Sequence, residues 1–475
     1  MNNKFNNSLV WLRRDLRLYD HNALFQALKN SKAVYCCFIF DIKILQNLSN
    51  KNDRRIDFIW HALEEIKADL NNLGSDLIVE AGDPVALIPS LIDKYKCNAL
   101  FLNKDYEKYA IGRDKKVIDR LVKKNIQTFK YKDQVIFEEK EILTQGNTPY
   151  TVFTPYKNNH LKKIFNEGVT QFDCAPYILN MAKFKSRPLQ SLKEIGFKKS
   201  NILSMNLPMG TKGGLALIED FKTRIKNYGY LRNFPGTKGV SYLSVHNRFG
   251  TISIRHLAKV ALAHNSEGSS TWLNELIWRD FYFQILSNFP HIQDGEAFKF
   301  KYNNLKFEND EKKFNAWKDG KTGFPIVDAG MRQLNTTGYM HNRLRMIIAS
   351  FLVKDLLIDW RWGEKYFAEH LIDFDLSANN GGWQWAASTG CDAQPYFRIF
   401  NPLLQSEKFD PDGKFIRKYV PELGVLNKKE IHQPSVFFNK SPNNFPIKLG
   451  LDYPFPIVNH AEQKPKIMAL FKDAQ

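Results

Sequence analysis

Along the first 131 residues the apolar positions alternate between two rhythms. Leu9-Val10-Trp11-Leu12 and Ala33 through Phe40 are continuous apolar runs with the length of a buried strand, and Leu77-Ile78-Val79, Ala99-Leu100-Phe101-Leu102 and Ile126 to Tyr131 add three more. Between them, Ile56, Ile59, Leu63, Ile66, Leu70 and Leu73 recur at steps of three and four, which marks one face of a helix. Gly74 follows where a helix C-terminal cap belongs, and Asp83-Pro84 offers the N-cap and first-turn proline of the next helix. Strand and helix in alternation predict an α/β N-terminal domain over 1–131, a Rossmann-like doubly wound sheet of five parallel strands.

The rhythm then changes. Residues 132–205 lose periodicity and fill with Lys, Asn, Pro and isolated aromatics, which reads as a long interdomain connector. From 206 to 475 strand patterns vanish, and helical spacing recurs through Leu215–Tyr228, His256–His264, Trp272–Leu286, Val327–Thr336, Asn342–Leu357 and Trp362–Leu371. An all-α C-terminal domain is expected there, carrying most of the tryptophans. No internal repeat is visible.

Composition narrows the function. The 475 residues hold 68 Lys+Arg against 50 Asp+Glu, a net +18, which favours a polyanionic partner, although compositional drift toward Lys and Asn would produce part of it. With 36 Phe, 19 Tyr and 9 Trp the chain is not disordered. No apolar run reaches a membrane span, and the N-terminus lacks a signal-peptide core. Cys36, Cys37, Cys97, Cys174 and Cys391 show no zinc spacing, so a reduced, cytoplasmic, metal-free protein is expected. No Gly-rich phosphate loop follows the first strand; Arg13-Arg14-Asp15-Leu16-Arg17 stands there and reads as a solvated turn rather than a phosphate site.

Candidate chemistry concentrates between Gly323 and Pro402, where Trp360, Trp362, Trp383 and Trp385 lie among Arg343, Arg345, Asp373, Asp375, Asn379 and Asn380. Tryptophans in such number ordinarily mean core packing. Yet Asn379-Asn380-Gly381-Gly382 abuts Trp383-Gln384-Trp385, pairing amide donors and acceptors with close backbone approach, a combination suited to a flat heterocycle. A second cluster, Glu275, Trp278 and Arg279, shares one helix face, as do Asn342 and Met346. The Glu275 cluster reads either as a nucleobase site or as a buried ion pair beside a core aromatic.

These segments resemble the photolyase/cryptochrome family, and within it the bacterial class I photolyases that repair cyclobutane pyrimidine dimers. The matching text is Lys321-Thr322-Gly323-Phe324-Pro325-Ile326-Val327-Asp328, His341-Asn342-Arg343-Leu344-Arg345-Met346, Leu371-Ile372-Asp373-Phe374-Asp375 and Asn379 through Gly390. It continues in Tyr396-Phe397-Arg398-Ile399-Phe400-Asn401-Pro402, and Trp11 through His21 resembles the family's opening strand. The likeness spans nearly the whole chain, densest from 271 to 423 and loosest between 132 and 227.

The resemblance implies FAD held in the helical domain by Tyr228, Ser241, Leu243, Ser244, Trp272, Arg279, Asn342, Arg345, Asp373, Asp375 and Asn379, with Asn379 at the flavin N5. It implies a substrate site in which Glu275 stabilises the dimer, Trp278 and Trp385 wall it, and Asn342 and Met346 complete it. Arg232, Arg343, Arg398 and Gln405 would meet the DNA backbone. The implied activity is light-dependent DNA repair by a monomeric, blue-light-driven flavoprotein lyase acting on DNA that contains such dimers. The alternative is a cryptochrome-type signalling flavoprotein without repair. The (6-4) repair relatives carry histidines at the Asn342 and Met346 positions, and single-strand-preferring relatives tend to Gln at Met346 and Tyr at Trp385, so dimer repair matches best. The chain also ends about fifty residues after Pro421-Glu422-Leu423, without room for a long signalling tail.

Three departures stand out. Of the three tryptophans that relay electrons to the flavin in the family, Trp383 and Trp360 fill two places and Phe307 the surface one, which predicts slow photoreduction or an exit through Tyr302 or Trp317. Folate-binding relatives carry an Asn-Glu pair at Tyr109 and Ala110 and Cys-Lys contacts at Gln293 and Asp294, so a 5,10-methenyltetrahydrofolate antenna is doubtful. Val240-Ser241-Tyr242-Leu243-Ser244 stands for a common Thr-Ser-Arg-Leu-Ser, with one hydroxyl and one arginine fewer at the FAD phosphates.

Overall fold

The structure, a computed structural model, describes residues 4–472. The chain forms two compact units: Met1–Tyr150 with Thr154–Lys226 and Ser241–Asn288, and Thr151–Phe153 with Asn227–Val240 and Phe289–Gln475.

The first unit is built on five strands, β1 (Phe5–Leu12), β2 (Ser31–Asp41), β3 (Leu77–Gly82), β4 (Ala99–Asn103) and β5 (Gln127–Tyr131), all parallel in the order β3-β2-β1-β4-β5. The apolar runs that predicted strands are buried on both faces, as a parallel sheet flanked by helices requires; Leu9, Trp11, Cys37, Ile78, Leu100 and Leu102 share one core with Ile88 and Ile92 of the helix Pro84–Lys94 and with Val117 and Leu121 of Lys108–Val122. The helix predicted from Ile56 runs Arg54–Asn72, and Asp83 caps the next one by accepting from Val85 N at 3.0 Å. Of the segment 132–205 read as a connector, Phe153–Glu167 is a helix, because Phe153, Tyr156, His160 and Ile164 form a buried stripe at steps of three and four.

The arginine turn after β1 is not solvated, and here the sequence reading is corrected. Arg17 is 1% exposed; its guanidinium pairs with Asp133 at 2.7 Å and donates to the carbonyls of Asp20 (2.7 Å) and Gly250 (2.9 Å). Arg255 closes the same network on Asp133 at 2.8 Å and Asp20 at 3.0 Å. Gly250 sits at φ +66°, and a Cβ there would lie 2.1 Å from the Arg14 carbonyl oxygen, so this close approach admits only glycine. Arg13 pairs with Asp114 and donates to the Asn103 carbonyl, and Arg14 pairs with Glu107 at 2.8 Å. The run reads as surface because its ion-pair partners and the Gly250 carbonyl lie about 90 to 240 residues away in sequence.

The second unit is helical. Its core gathers Trp317, Met331, Leu344, Ile348, Trp360, Phe367 and Trp383 from the helices Glu311–Lys318, Pro325–Thr337, Asn342–Ser350, Trp360–His370 and Leu376–Ala387, with Phe351 just after the third of them. The helix expected over Asn342–Leu357 is α-helical only to Ser350 and continues as a π-helical turn over Phe351–Asp355, closed by the bond from Leu356 N to the Phe351 oxygen at 3.0 Å. Among the described residues no helix is long and apolar enough to cross a membrane, and no group of His, Cys, Asp or Glu could hold a metal ion.

Candidate functional site

In the second unit the site centres on the helix Leu376–Ala387. Asp375 caps it, accepting from Ser377 N at 3.1 Å and Ser377 Oγ at 2.6 Å. One face points inward: Trp383 is 2% exposed, 4.9 Å from the Phe367 ring and 6.2 Å from the Trp317 ring. Gly363 makes this possible, since a Cβ on it would stand 2.1 Å from the Trp383 indole. The other face is open. Ala378 and Gly382 are exposed between the part-buried Asn379 and Trp385, and a Cβ on Gly382 would meet nothing within 4 Å. Small residues framed by an amide and an indole leave room for a flat group to lie along the helix.

The amide is fixed from behind. Asn379 Nδ2 donates to the Glu364 main-chain oxygen at 3.1 Å and to Glu364 Oε1 at 2.8 Å. A carbonyl can only accept, so the nitrogen faces Glu364 and Oδ1 is left as the group presented to a ligand. Burial pushes the Glu364 carboxyl above its ordinary range, and the hydrogen bond from Asn379 draws it partly back. Beside this, Arg345 donates to both oxygens of buried Asp373 at 3.0 and 2.8 Å and to the Met340 carbonyl at 2.9 Å, joining the start of Asn342–Ser350 to the loop before Leu376.

Asn342, exposed, opens its helix, and His341 caps it by accepting from Arg343 N at 3.2 Å. Burial, with the positive charges of Arg343, Arg345 and Arg232 added, lowers the His341 pKa to about 4, so the imidazole stays neutral and able to accept. Arg343 reaches Asn233 Oδ1 at 2.6 Å, lies 4.4 Å over the Phe409 ring and 3.8 Å from the Met346 sulfur. Arg232 lies 5.4 Å over Tyr228, itself buried. Arg398 is exposed and Gln405 half-buried.

In the first unit the helix Glu267–Asn288 carries four candidates. Trp272 is buried edge-on to Phe221 at 4.8 Å, whereas Glu275, Trp278 and Arg279 are only half-buried and share a face. Arg279 donates to the Gln134 carbonyl and lies 4.5 Å over Phe283; Trp278 leans on Phe281 and Tyr282 at 5.6 and 5.4 Å. The helix is seated by buried Asp280, which accepts from Ile136 N (2.8 Å), Phe137 N (3.1 Å) and His160 (3.1 Å). In the preceding loop Tyr242 is left-handed at φ +58°, Leu243 is buried, and Ser241 Oγ accepts from Leu243 N at 3.4 Å beside exposed Ser244.

The aromatic environment of Trp383 extends past the relay positions Trp360 and Phe307 to Trp317, one of the two exits named from sequence. Trp360 is 1% exposed and Phe307 part-buried against the same core. Trp317, wholly buried, stacks on Phe314 at 5.7 Å, and Phe314 meets the half-exposed Trp362 edge-on at 5.1 Å. At the antenna positions, Tyr109 is 43% exposed with its hydroxyl donating to Asp41 at 2.8 Å, Ala110 is buried, and Gln293 and Asp294 lie on the turn Pro290–Asp294.

Comparison with known proteins decides the family. Residues 8–175 match the family model for DNA photolyase, and residues 272–473 match that for the FAD binding domain of DNA photolyase. The chain is 38% identical to the deoxyribodipyrimidine photo-lyase of Escherichia coli over 98% of each chain. The chain belongs to the DNA photolyase family. Among solved structures it is similar to a bacterial class III photolyase from Agrobacterium tumefaciens (TM-score 0.88, 32% identity, 99% of this chain and 98% of that one). It is also similar to a cryptochrome from Synechocystis (TM-score 0.85, 27% identity, 99% and 100%).

As a member of the photolyase family the chain is an enzyme with FAD as cofactor, and its residues fit that group. The open strip over Ala378 and Gly382 accepts a planar ring, the oriented Asn379 oxygen offers an acceptor to a ring N–H, and the Arg345–Asp373 pair supplies charge near polar atoms. Sequence reasoning passed over Glu364, which orients Asn379 from fifteen residues upstream. Its only signal was an acidic residue beside Gly363 on the inner side of a helix, indistinguishable by pattern from a solvated carboxylate.

Proposed function

We propose that this photolyase-family enzyme splits cyclobutane pyrimidine dimers in DNA under blue light. Bound FAD, reduced and excited, would supply the one-electron chemistry, lent to the dimer and returned as two carbon–carbon bonds break, so that the reaction is redox-neutral overall. The chain's residues do the rest. Extruding the damaged nucleotide is the general solution for enzymes working on a base within a duplex, photolyases among them, and it costs least at a lesion already poorly stacked. Trp278 and Trp385 offer part-exposed indole faces for the extruded bases. Glu275 provides a carboxyl for the pyrimidine imide edge, where hydrogen bonding stabilises the added charge. Asn379, held by Glu364 through its nitrogen, would offer its oxygen to the flavin ring.

The observation that carries this reading is the shared, half-buried face of Glu275 and Trp278 on Glu267–Asn288, since a signalling flavoprotein or a plain phosphate binder needs neither. Arg232, Arg343, Arg398 and Gln405 serve the backbone of a dimer-containing strand, with the protein acting as a monomer. The test is restoration of an irradiated thymine oligonucleotide in light against dark, with the visible spectrum recorded. Restoration in light by the reduced enzyme is expected; a flavin spectrum without repair would instead indicate signalling, and no flavin spectrum a passive DNA binder.

A further inference from the structure

The π-helical turn Phe351–Asp355 places two ionisable side chains, Lys354 and Asp355, in the interior at 0% exposure. A π-turn costs hydrogen-bond geometry and usually marks a local demand. Here it aims the adjacent side chains at different elements. Asp355 meets His460 at 2.5 Å, which ties down the chain just before the C-terminal helix Gln463–Lys472. Lys354 Nζ donates to Ser388 Oγ at 2.8 Å and to the Tyr396 carbonyl at 3.1 Å, and lies 4.8 Å over the ring of Phe471.

Those partners are not arbitrary. Ser388 terminates the helix that carries Asn379, Trp383 and Trp385, and does so in the left-handed conformation at φ +66°, a position glycine fills more cheaply. The hydroxyl that serine brings there is the one Lys354 holds. Tyr396 sits in the following loop, two residues before Arg398, and its ring stacks on Phe471 at 5.2 Å and 6°. Phe471 also packs edge-on to buried Tyr302 at 5.2 Å. The loop after the helix is thus gripped at its start and at its middle, under a lid of apolar residues from the C-terminal helix.

We propose that Lys354 is a positioning residue for the substrate site: it fixes the end of the helix bearing Trp385 and the loop bearing Arg398, and the C-terminal helix is the cover that keeps this hold dry. The consequence for substrate rests on the repair reading above; the hold does not. Burial alone draws Lys354 down to about 7, yet a neutral amine still carries two N–H donors, so both bonds persist in either state.

The experiment compares Ser388→Gly and Lys354→Met with wild type by hydrogen exchange, without DNA or light, and by melting. Ser388→Gly suits the left-handed backbone, so melting should hold or rise, while amides of 389–399 exchange about tenfold faster, the equivalent of one lost hydrogen bond. Lys354→Met should speed the same amides at least as much, and the double variant no further than Lys354→Met alone. Wild-type exchange over 389–399 in Ser388→Gly, or exchange rising only in step with a fall in melting temperature, would overturn the hold. Affinity for a dimer-containing oligonucleotide, measured at equal flavin content, should drop several-fold in both variants. Accelerated exchange with unchanged affinity would remove the positioning role, whereas absent repair in wild type would strike only the reading of the reaction.

Discussion

At the scale of single residues, the proposed function divides the site into groups expected to touch the lesion and groups expected to hold the strand. Glu275→Ala should lower the yield of dimer splitting more than DNA affinity, because its carboxyl acts on the charge that appears during reaction. Arg343→Ala should do the reverse and flatten the dependence of affinity on salt, as expected for a lost phosphate contact. Repair yield per absorbed photon and a salt titration of binding read the two apart; equal losses in both variants would count against the division. Glu364 gives a purely structural prediction. Glu364→Gln retains a side-chain acceptor for Asn379 and should leave stability within about 0.5 kcal/mol, whereas Glu364→Leu leaves the Asn379 amide only the main-chain oxygen of residue 364 and should cost about 0.5–1.5 kcal/mol in urea unfolding.

At the scale of elements, the aromatic connections around Trp383 bear on the exit through Trp317 expected from the sequence. Phenylalanine is far harder to oxidise than tryptophan, so Phe307 is a poor terminal donor. Trp317, 6.2 Å from the Trp383 ring, and Trp362 beyond Phe314 provide an alternative branch. Transient absorption should show tryptophan oxidation slowed in Trp317→Phe and accelerated in Phe307→Trp. Identical kinetics in all three proteins would eliminate both routes as determinants. The five strands and the helix Arg54–Asn72 follow from apolar spacing, because burial on one face or two imposes the period. The π-turn at Phe351 did not, since Asn342–Leu357 keeps a helical rhythm through it and a single inserted residue leaves no compositional trace. Of the site, the residue types on Leu376–Ala387 were legible because amide, glycine and indole together are unusual. Glu364 and Lys354 were not, because what they do depends on partners fifteen to forty-two residues away.

Over the whole molecule, acid should loosen both units in one pH window. His246 in the first and His341 in the second are each lowered to about 4, chiefly by burial, and each uses a neutral nitrogen, toward Thr251 at 2.8 Å and toward Arg343 N at 3.2 Å. With folded values below the ordinary 6.5, the unfolded chain binds protons first, so stability falls as pH drops from about 6.5 to about 4. Asp355, raised to about 6, acts in the opposite sense and offsets part of the loss. His341→Asn, which keeps a capping acceptor but does not titrate, should show a shallower decline in stability across that window; an unchanged slope would assign the acid sensitivity elsewhere. The net +18 takes on a divided meaning at this scale, because Arg17 and Arg255 are spent inside the first unit, while the proposed nucleic-acid contacts rest on a small set around Arg232, Arg343 and Arg398.

The same buried arginines set an order of events during synthesis. All five strands have been translated by Tyr131, yet the buried carboxylates of Asp20 and Asp133, of which Arg17 pairs with Asp133, find their second cation only when Arg255 exists. At ribosomal speeds of about 5–20 residues per second, those roughly 120 further residues take about 6 to 24 seconds. For that interval the nascent sheet carries an incompletely neutralised interior, and its final locking must wait for the chain to return.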